Sequence, residues 1–160
     1  MTVSNATVEL TASADLRVVW DVATLTNPTW FYPKFGPLPA VVDVVGQPGD
    51  WDAVDKSRTL ILSDGGSVVE TLTDVNPYEY FAYNLTDFQG LFGVLVAGAR
   101  AEWDFWAENG GTVIRWSYSF RARRGAGPIV ALIVKLFWGR YMKSVLPVIV
   151  QETERQVPVN

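Results

Sequence analysis

Three side chains in this sequence place a strongly polar or reactive group among apolar neighbours: Arg58, Tyr32 and Tyr83. Arg58 precedes Leu60 and Leu62 at strand spacing, and its rigid donor fork could orient a carbonyl or carboxylate. A three-residue loop at Asp64-Gly65-Gly66 would instead set Arg58 opposite Leu72 and diagonal to Glu70, as a cross-strand ion pair at the surface. A phenol at Tyr32 or Tyr83 can donate a hydrogen bond to an oxygen or act as a general acid, unless its hydroxyl simply reaches solvent. Other chemistry is closed off because the chain has no His and no Cys. That removes His-based triads, thiol nucleophiles, zinc sites built on those ligands and disulfides. The Asp residues fall in turns, caps and outward strand positions, without the spacing of a glycosidase pair or a calcium loop, so no metal or cofactor is expected. Asp64-Gly65-Gly66 and Glu108-Asn109-Gly110-Gly111 lie between strands with no helix behind them, and read as turns rather than phosphate loops.

The elements that must position these groups belong to one domain over 1–160, with a core from about 6 to 155, because 160 residues leave no room for a second sizeable core. Seven Trp, six Tyr and eight Phe supply more bulky apolar surface than one core usually needs. A formal net charge of −4 argues against a broad footprint on nucleic acid or anionic membrane, and the local exception, Arg121, Arg123 and Arg124, reads as the solvated end of a strand. The first residues show no basic stretch followed by an apolar core, so a cytoplasmic location is the expectation.

Val8, Leu10 and Ala12 alternate with polar residues as in a half-buried strand. Ser13 then offers a helix cap with Asp15 in the first turn, and Leu16, Val19, Trp20 and Ala23 form one apolar stripe. Asn27-Pro28 starts a second short helix reaching about Tyr32. Strands follow at 41–45, 57–63, 68–75 and 80–86, separated by Gly, Pro and Asn signals. Asn109-Gly110 favours a two-residue type I′ hairpin, which pairs Phe105 with Ile114, Trp103 with Trp116, Ala101 with Tyr118 and Ala99 with Phe120. One face of that hairpin is then wholly apolar, while Asp104–Arg115 and Arg100–Ser119 occupy the other. Two Ala opposite Tyr and Phe imply either interlocking or space above the sheet.

After Gly125-Ala126-Gly127-Pro128 a long helix runs to about Arg155, with a kink expected at Pro147. Its first part, 129–138, is apolar on nearly every side and too short to span a bilayer. Ile129, Leu132, Ile133, Leu136 and Phe137 are expected to pack on the sheet, and the last five residues to fray. The layout is α+β, with helices gathered on one face of an antiparallel sheet.

This order resembles the START-like superfamily, specifically its polyketide cyclase/dehydrase (SRPBCC) branch. The resemblance rests on Val19-Trp20-Asp21, Trp30 and Pro33, Arg58 to Leu62 leading into Asp64-Gly65-Gly66, and Glu70. It continues through Asn76-Pro77 before Phe81 and Tyr83, and through Gly111-Thr112 with Trp116 and Phe120. It implies a helix-grip fold: a curved antiparallel sheet of about seven strands around the long C-terminal helix, two short helices after the first strand, and a hydrophobic cavity between sheet and helix. Trp103, Phe105, Ile114, Trp116, Tyr118, Phe120, Tyr83, Arg58, Ile133 and Phe137 would then face a ligand, where without the resemblance the aromatic stripe reads as ordinary core.

The function so implied is a non-catalytic carrier or sensor of a hydrophobic small molecule: a lipid, fatty acid or polyketide-like compound. The alternatives are an aromatase or cyclase, in which Arg58 polarises a carbonyl and Tyr32 or Tyr83 transfers a proton, and an interaction module. The latter would use the apolar run Phe88 to Val96, which departs from the polar stretch common in the family; unless it is a plain buried segment, it is open to a lid, a homodimer contact or a transient membrane contact.

Overall fold

The computed structural model describes residues 2–156, so of the expected frayed tail residues 157–160 lie outside the described residues. Seven strands form one antiparallel sheet in the order β1-β7-β6-β5-β4-β3-β2. Their bounds are β1 Val3–Ala12, β2 Val41–Val45, β3 Ser57–Leu62, β4 Ser67–Asn76, β5 Tyr80–Gln89, β6 Val96–Glu108 and β7 Gly111–Ala122. Helix α1 (Leu16–Leu25) and a 3₁₀ turn (Pro28–Trp30) follow β1, and a five-residue helix α2 (Leu91–Leu95) joins β5 to β6. The chain closes with α3 (Gly127–Ile133), a π turn (Val134–Trp138) and α4 (Gly139–Arg155). Register shifts in β2–β3, β4–β5 and β6–β7 let the sheet bend around this last helical stretch.

The hairpin register holds residue for residue: Phe105 faces Ile114, Trp103 faces Trp116, Ala101 faces Tyr118 and Ala99 faces Phe120. Asn109 and Gly110 both have positive φ, 51° and 80°, as a type I′ turn requires. Inside, the Trp103 and Trp116 rings stack at 4.7 Å between centroids, and Phe81 stacks on Trp103 at 5.6 Å. Trp20 of α1 meets Phe105 edge-on at 5.3 Å, so the short helix seals this end of the sheet.

Four expectations need correction. Asp15, not Ser13, caps α1: its Oδ1 accepts the Arg17 N–H at 2.9 Å, which leaves Asp15 before the first turn rather than in it. The β3–β4 turn is centred on Ser63-Asp64-Gly65, closed by the Leu62 N–H donating to the Gly66 carbonyl at 2.9 Å. Gly65 takes the positive φ of 84°, so the loop starts one residue earlier than expected and Arg58 lies directly opposite Glu70 instead of Leu72. Third, the helix presents the other face. Val130, Val134, Tyr141, Met142, Val145 and Leu146 are buried, whereas Ile129, Leu132 and Leu136 are exposed and Ile133 and Phe137 only half-buried. Fourth, the departure from α geometry falls at Val134–Trp138, ahead of Pro147, which sits within α4. The carbonyl that Pro147 leaves without its usual donor belongs to the exposed Lys143, where water can serve it.

Candidate ligand cavity

The π turn adds a residue to the helical repeat and brings Trp138 over the open half of the sheet. There its indole lies 4.8 Å from the Tyr118 ring, 5.0 Å from Phe120 and 5.4 Å from Tyr141, centroid to centroid. Below these rings is a cavity of about 80 Å³. Leu60 and Leu62 of β3, Val68 and Glu70 of β4, and Leu85 and Phe88 of β5 make its floor. Tyr118 and Phe120 of β7 form one wall, Tyr32, Leu38 and Val41 another, and Phe92 of α2 with Trp138 and Tyr141 the roof. Ala101 and Ala99, opposite Tyr118 and Phe120 in the register, are not among the lining side chains, and Ala101 is fully covered.

The polar groups inside are few. Glu70 is the one carboxylate on the lining, and its Oε2 accepts from Arg58 Nε at 2.7 Å. Both side chains are buried, at 4% and 8% exposure, so the pair is desolvated rather than a surface bridge. Arg58 also donates through Nη1 to Gln47 Oε1 at 3.1 Å and lies 4.0 Å from the Trp51 ring centre, as a cation–π contact. Burial raises the pKa of Tyr32 well above the ordinary phenol value, helped by nearby Tyr83 and Glu70. Burial likewise raises Tyr83, with Glu70 next in effect, and Tyr118, with Tyr83 next in effect. Burial alone raises Tyr141. All four phenols therefore stay protonated near neutrality, as donors. The Trp138 indole N–H is also buried without an acceptor among the described residues, as are those of Trp51, Trp103 and Trp116.

Tyr32, Tyr118 and Phe120, among the residues singled out from sequence, line this cavity. Arg58, Tyr83 and Trp103 instead border a separate space of about 20 Å³ behind it, with Trp51 and Tyr32. Phe105, Ile114 and Trp116 are buried in the core away from both spaces. Ile133 lines a small gap of about 10 Å³ beneath α2, and Phe137 packs at Gly36, 3.1 Å from where a Cβ would stand. Sequence reasoning did not single out Trp138, Tyr141, Phe88, Phe92 or Glu70 as lining residues. The amphipathic run of α4 (Tyr141, Val145, Ile149 and their neighbours) carried the missing signal: read backwards, its phase leads to Trp138 and Val134.

A bent antiparallel sheet closed on a long C-terminal helix, with an apolar cavity between them, defines the helix-grip class of START-like proteins. Solved structures agree over nearly the whole chain. The crystal structure of Ara h 8.0201 matches with a TM-score of 0.66 at 14% identity, covering 96% of this chain and 99% of that one. The Zhui aromatase/cyclase from Streptomyces sp. R1128 matches with a TM-score of 0.65 at 16% identity, covering 98% and 97%. Norcoclaurine synthase from Thalictrum flavum, solved with dopamine and hydroxybenzaldehyde, matches with a TM-score of 0.65 at 12% identity, covering 99% and 90%. No curated protein matches the sequence at a significant level. The family described as polyketide cyclase / dehydrase and lipid transport matches residues 1–152, and the chain belongs to that family.

Proposed function

We propose that the protein is a cytoplasmic carrier or sensor that holds a hydrophobic small molecule, a fatty acid, lipid or polyketide-like compound, in the cavity under Trp138. One observation carries the reading: the lining is apolar, and its polar groups are donors or already neutralised. Phenols that remain protonated and an unpaired indole N–H suit acceptor oxygens on a bound molecule. They supply no base near neutral pH, and Glu70, the one carboxylate at hand, is held by Arg58. A cyclase mechanism would ask Arg58 to polarise a carbonyl, but its guanidinium is engaged by Glu70, Gln47 and Trp51 behind the cavity wall. These points favour binding over turnover.

At about 80 Å³ the cavity accepts only a small fragment as it stands, since drug-sized pockets run to several hundred Å³. A longer chain is admitted only if a wall moves. Helix α2 is the wall we expect to move: none of its five residues is buried and no side chain caps its start, and its movement would break the Arg123 hydrogen bonds to the Gly93 and Leu95 carbonyls.

Native mass spectrometry of the purified protein is expected to show a co-purified hydrophobic compound, and fatty acids of increasing length to quench Trp emission saturably. Val68→Phe, which places a ring in the cavity, should weaken that binding by about tenfold or more with the fold intact by circular dichroism. Absence of any bound mass together with no saturable quenching overturns the reading.

A further inference from the structure

Leu91 and Val94 on the outer side of α2 are 63% and 69% exposed, while Phe92 and Leu95 of the same helix turn inward. On the last helical stretch Ile129, Leu132 and Leu136 form a second exposed apolar stripe, the first two at 52% and 54%. Both surfaces stand at one end of the sheet. Helix α2 leads into β6 and α3 follows β7, and those strands begin and end together at the Val96–Ala122 pair. The Arg123 N–H donates to the Leu95 carbonyl at 2.8 Å and Arg123 Nε to the Gly93 carbonyl at 2.7 Å, which pins the two elements side by side. A soluble surface seldom gathers this many large apolar side chains without a partner.

Most of the charges around it are basic. Residues 121–150 contain Arg121, Arg123, Arg124, Lys135, Arg140 and Lys143, all exposed, and no Asp or Glu. Residues 88–99 carry no charge. The nearest acids, Asp87 and Asp64, belong to the end of β5 and the β3–β4 turn, on the approach to Gly90. In a chain of net charge −4 this end is thus a local basic field around an apolar centre.

We infer that this face, the outer sides of α2 and of the Ile129–Leu136 stretch with their Arg and Lys rim, docks reversibly on an anionic lipid bilayer. Charge complementarity selects that occupant: a second copy of the chain would set one basic rim against another, whereas anionic headgroups neutralise it while the apolar centre enters the headgroup layer. Association is peripheral, for no described helix is long and apolar enough to cross a membrane. The inference does not depend on what the cavity holds, because docking needs only the outer side chains.

The test is cosedimentation with vesicles of phosphatidylcholine, with and without phosphatidylglycerol, at low and high salt. Wild-type protein is expected to pellet with the anionic vesicles at low salt and to be released by high salt. Lys135→Gln and Arg140→Gln should each weaken partitioning about fivefold. Leu132→Glu and Val94→Asp, both at exposed positions where folding is not at stake, should abolish it while circular dichroism and fatty-acid quenching persist. Wild-type protein that stays in the supernatant overturns the inference, as does equal pelleting of wild type and the two apolar-face variants. A concentration-dependent dimer that Leu132→Glu dissolves, without vesicle binding, overturns it in favour of a self-interface.

Discussion

Arg58→Met is expected to destabilise the protein by about 3–5 kcal/mol, because it leaves Glu70 as an uncompensated charge beneath the cavity. Both members of the pair are buried and meet at 2.7 Å, and Met keeps much of the packing against Trp51 while removing every donor. In a chain of this size the loss corresponds to roughly 10 °C in melting temperature. The double replacement Arg58→Met, Glu70→Leu is expected to recover most of it, since two apolar groups of similar shape need no partners. Thermal and chemical denaturation of the single and double variants decide the matter. If the single variant melts within a degree or two of wild type, the pair is not desolvated as described.

Alkaline pH is the second strong lever. Tyr32, Tyr83, Tyr118 and Tyr141 resist ionisation in the fold, mainly through burial, whereas in the unfolded chain they ionise near the ordinary value of 10.0. A group whose pKa is raised on folding adds stability that is fully present below its unfolded value and is lost as pH rises beyond it. Each such phenol costs about 1.4 kcal/mol per pH unit above that point, so four together cost about 5.5. Against a typical total of about 5–15 kcal/mol, the fold should collapse cooperatively within one to three units. Tyrosinate absorbance is expected to appear together with the loss of circular dichroism. A gradual rise of tyrosinate near pH 10 in an intact fold would show the phenols to be solvent-accessible. Tyr83→Phe should reduce the steepness of the transition by one proton.

How far the sequence carried depended on whether a local signal had one solution. Asn109-Gly110 has one: both residues must accept positive φ, so the turn and the register of twenty-odd strand residues follow together. Asp64-Gly65-Gly66 has two, because either glycine could take the left-handed position; Gly65 does, and the partner of Arg58 changes by two residues without changing face. The helix face was hard to read within 129–138 because a stretch apolar on every side but Lys135 has little preferred side, and the polar residues of α4 set the phase. The aromatic stripe was placed correctly on one face, but alternation cannot tell which part of a face stays uncovered. Helix α1 covers Phe105 through Trp20, while Tyr118 and Phe120 lie where the roof stands off. The two alanines opposite them hinted at space above the sheet, but they do not line the cavity.

From β2 to β7 the sheet is a meander in which every strand lies beside its predecessor. Only β1 pairs across the chain, running from Val3 against Arg121 to Ala12 against Thr112, and its Thr7 hydroxyl reaches Ser117 across 110 residues. Closing so long a loop carries its entropy before any contact rewards it, so the meander can assemble early while β1 must join late. The final helix shares this fate: the Ser13 N–H after β1 donates to Glu154 Oε1 at 3.0 Å near the end of α4. The grip is therefore made by β1 and the final helix. The same two elements are expected to release first, with amide exchange in β1 and α4 outpacing that in β6 and β7, so the protein can loosen its hold on the cavity without dissolving the sheet beneath it.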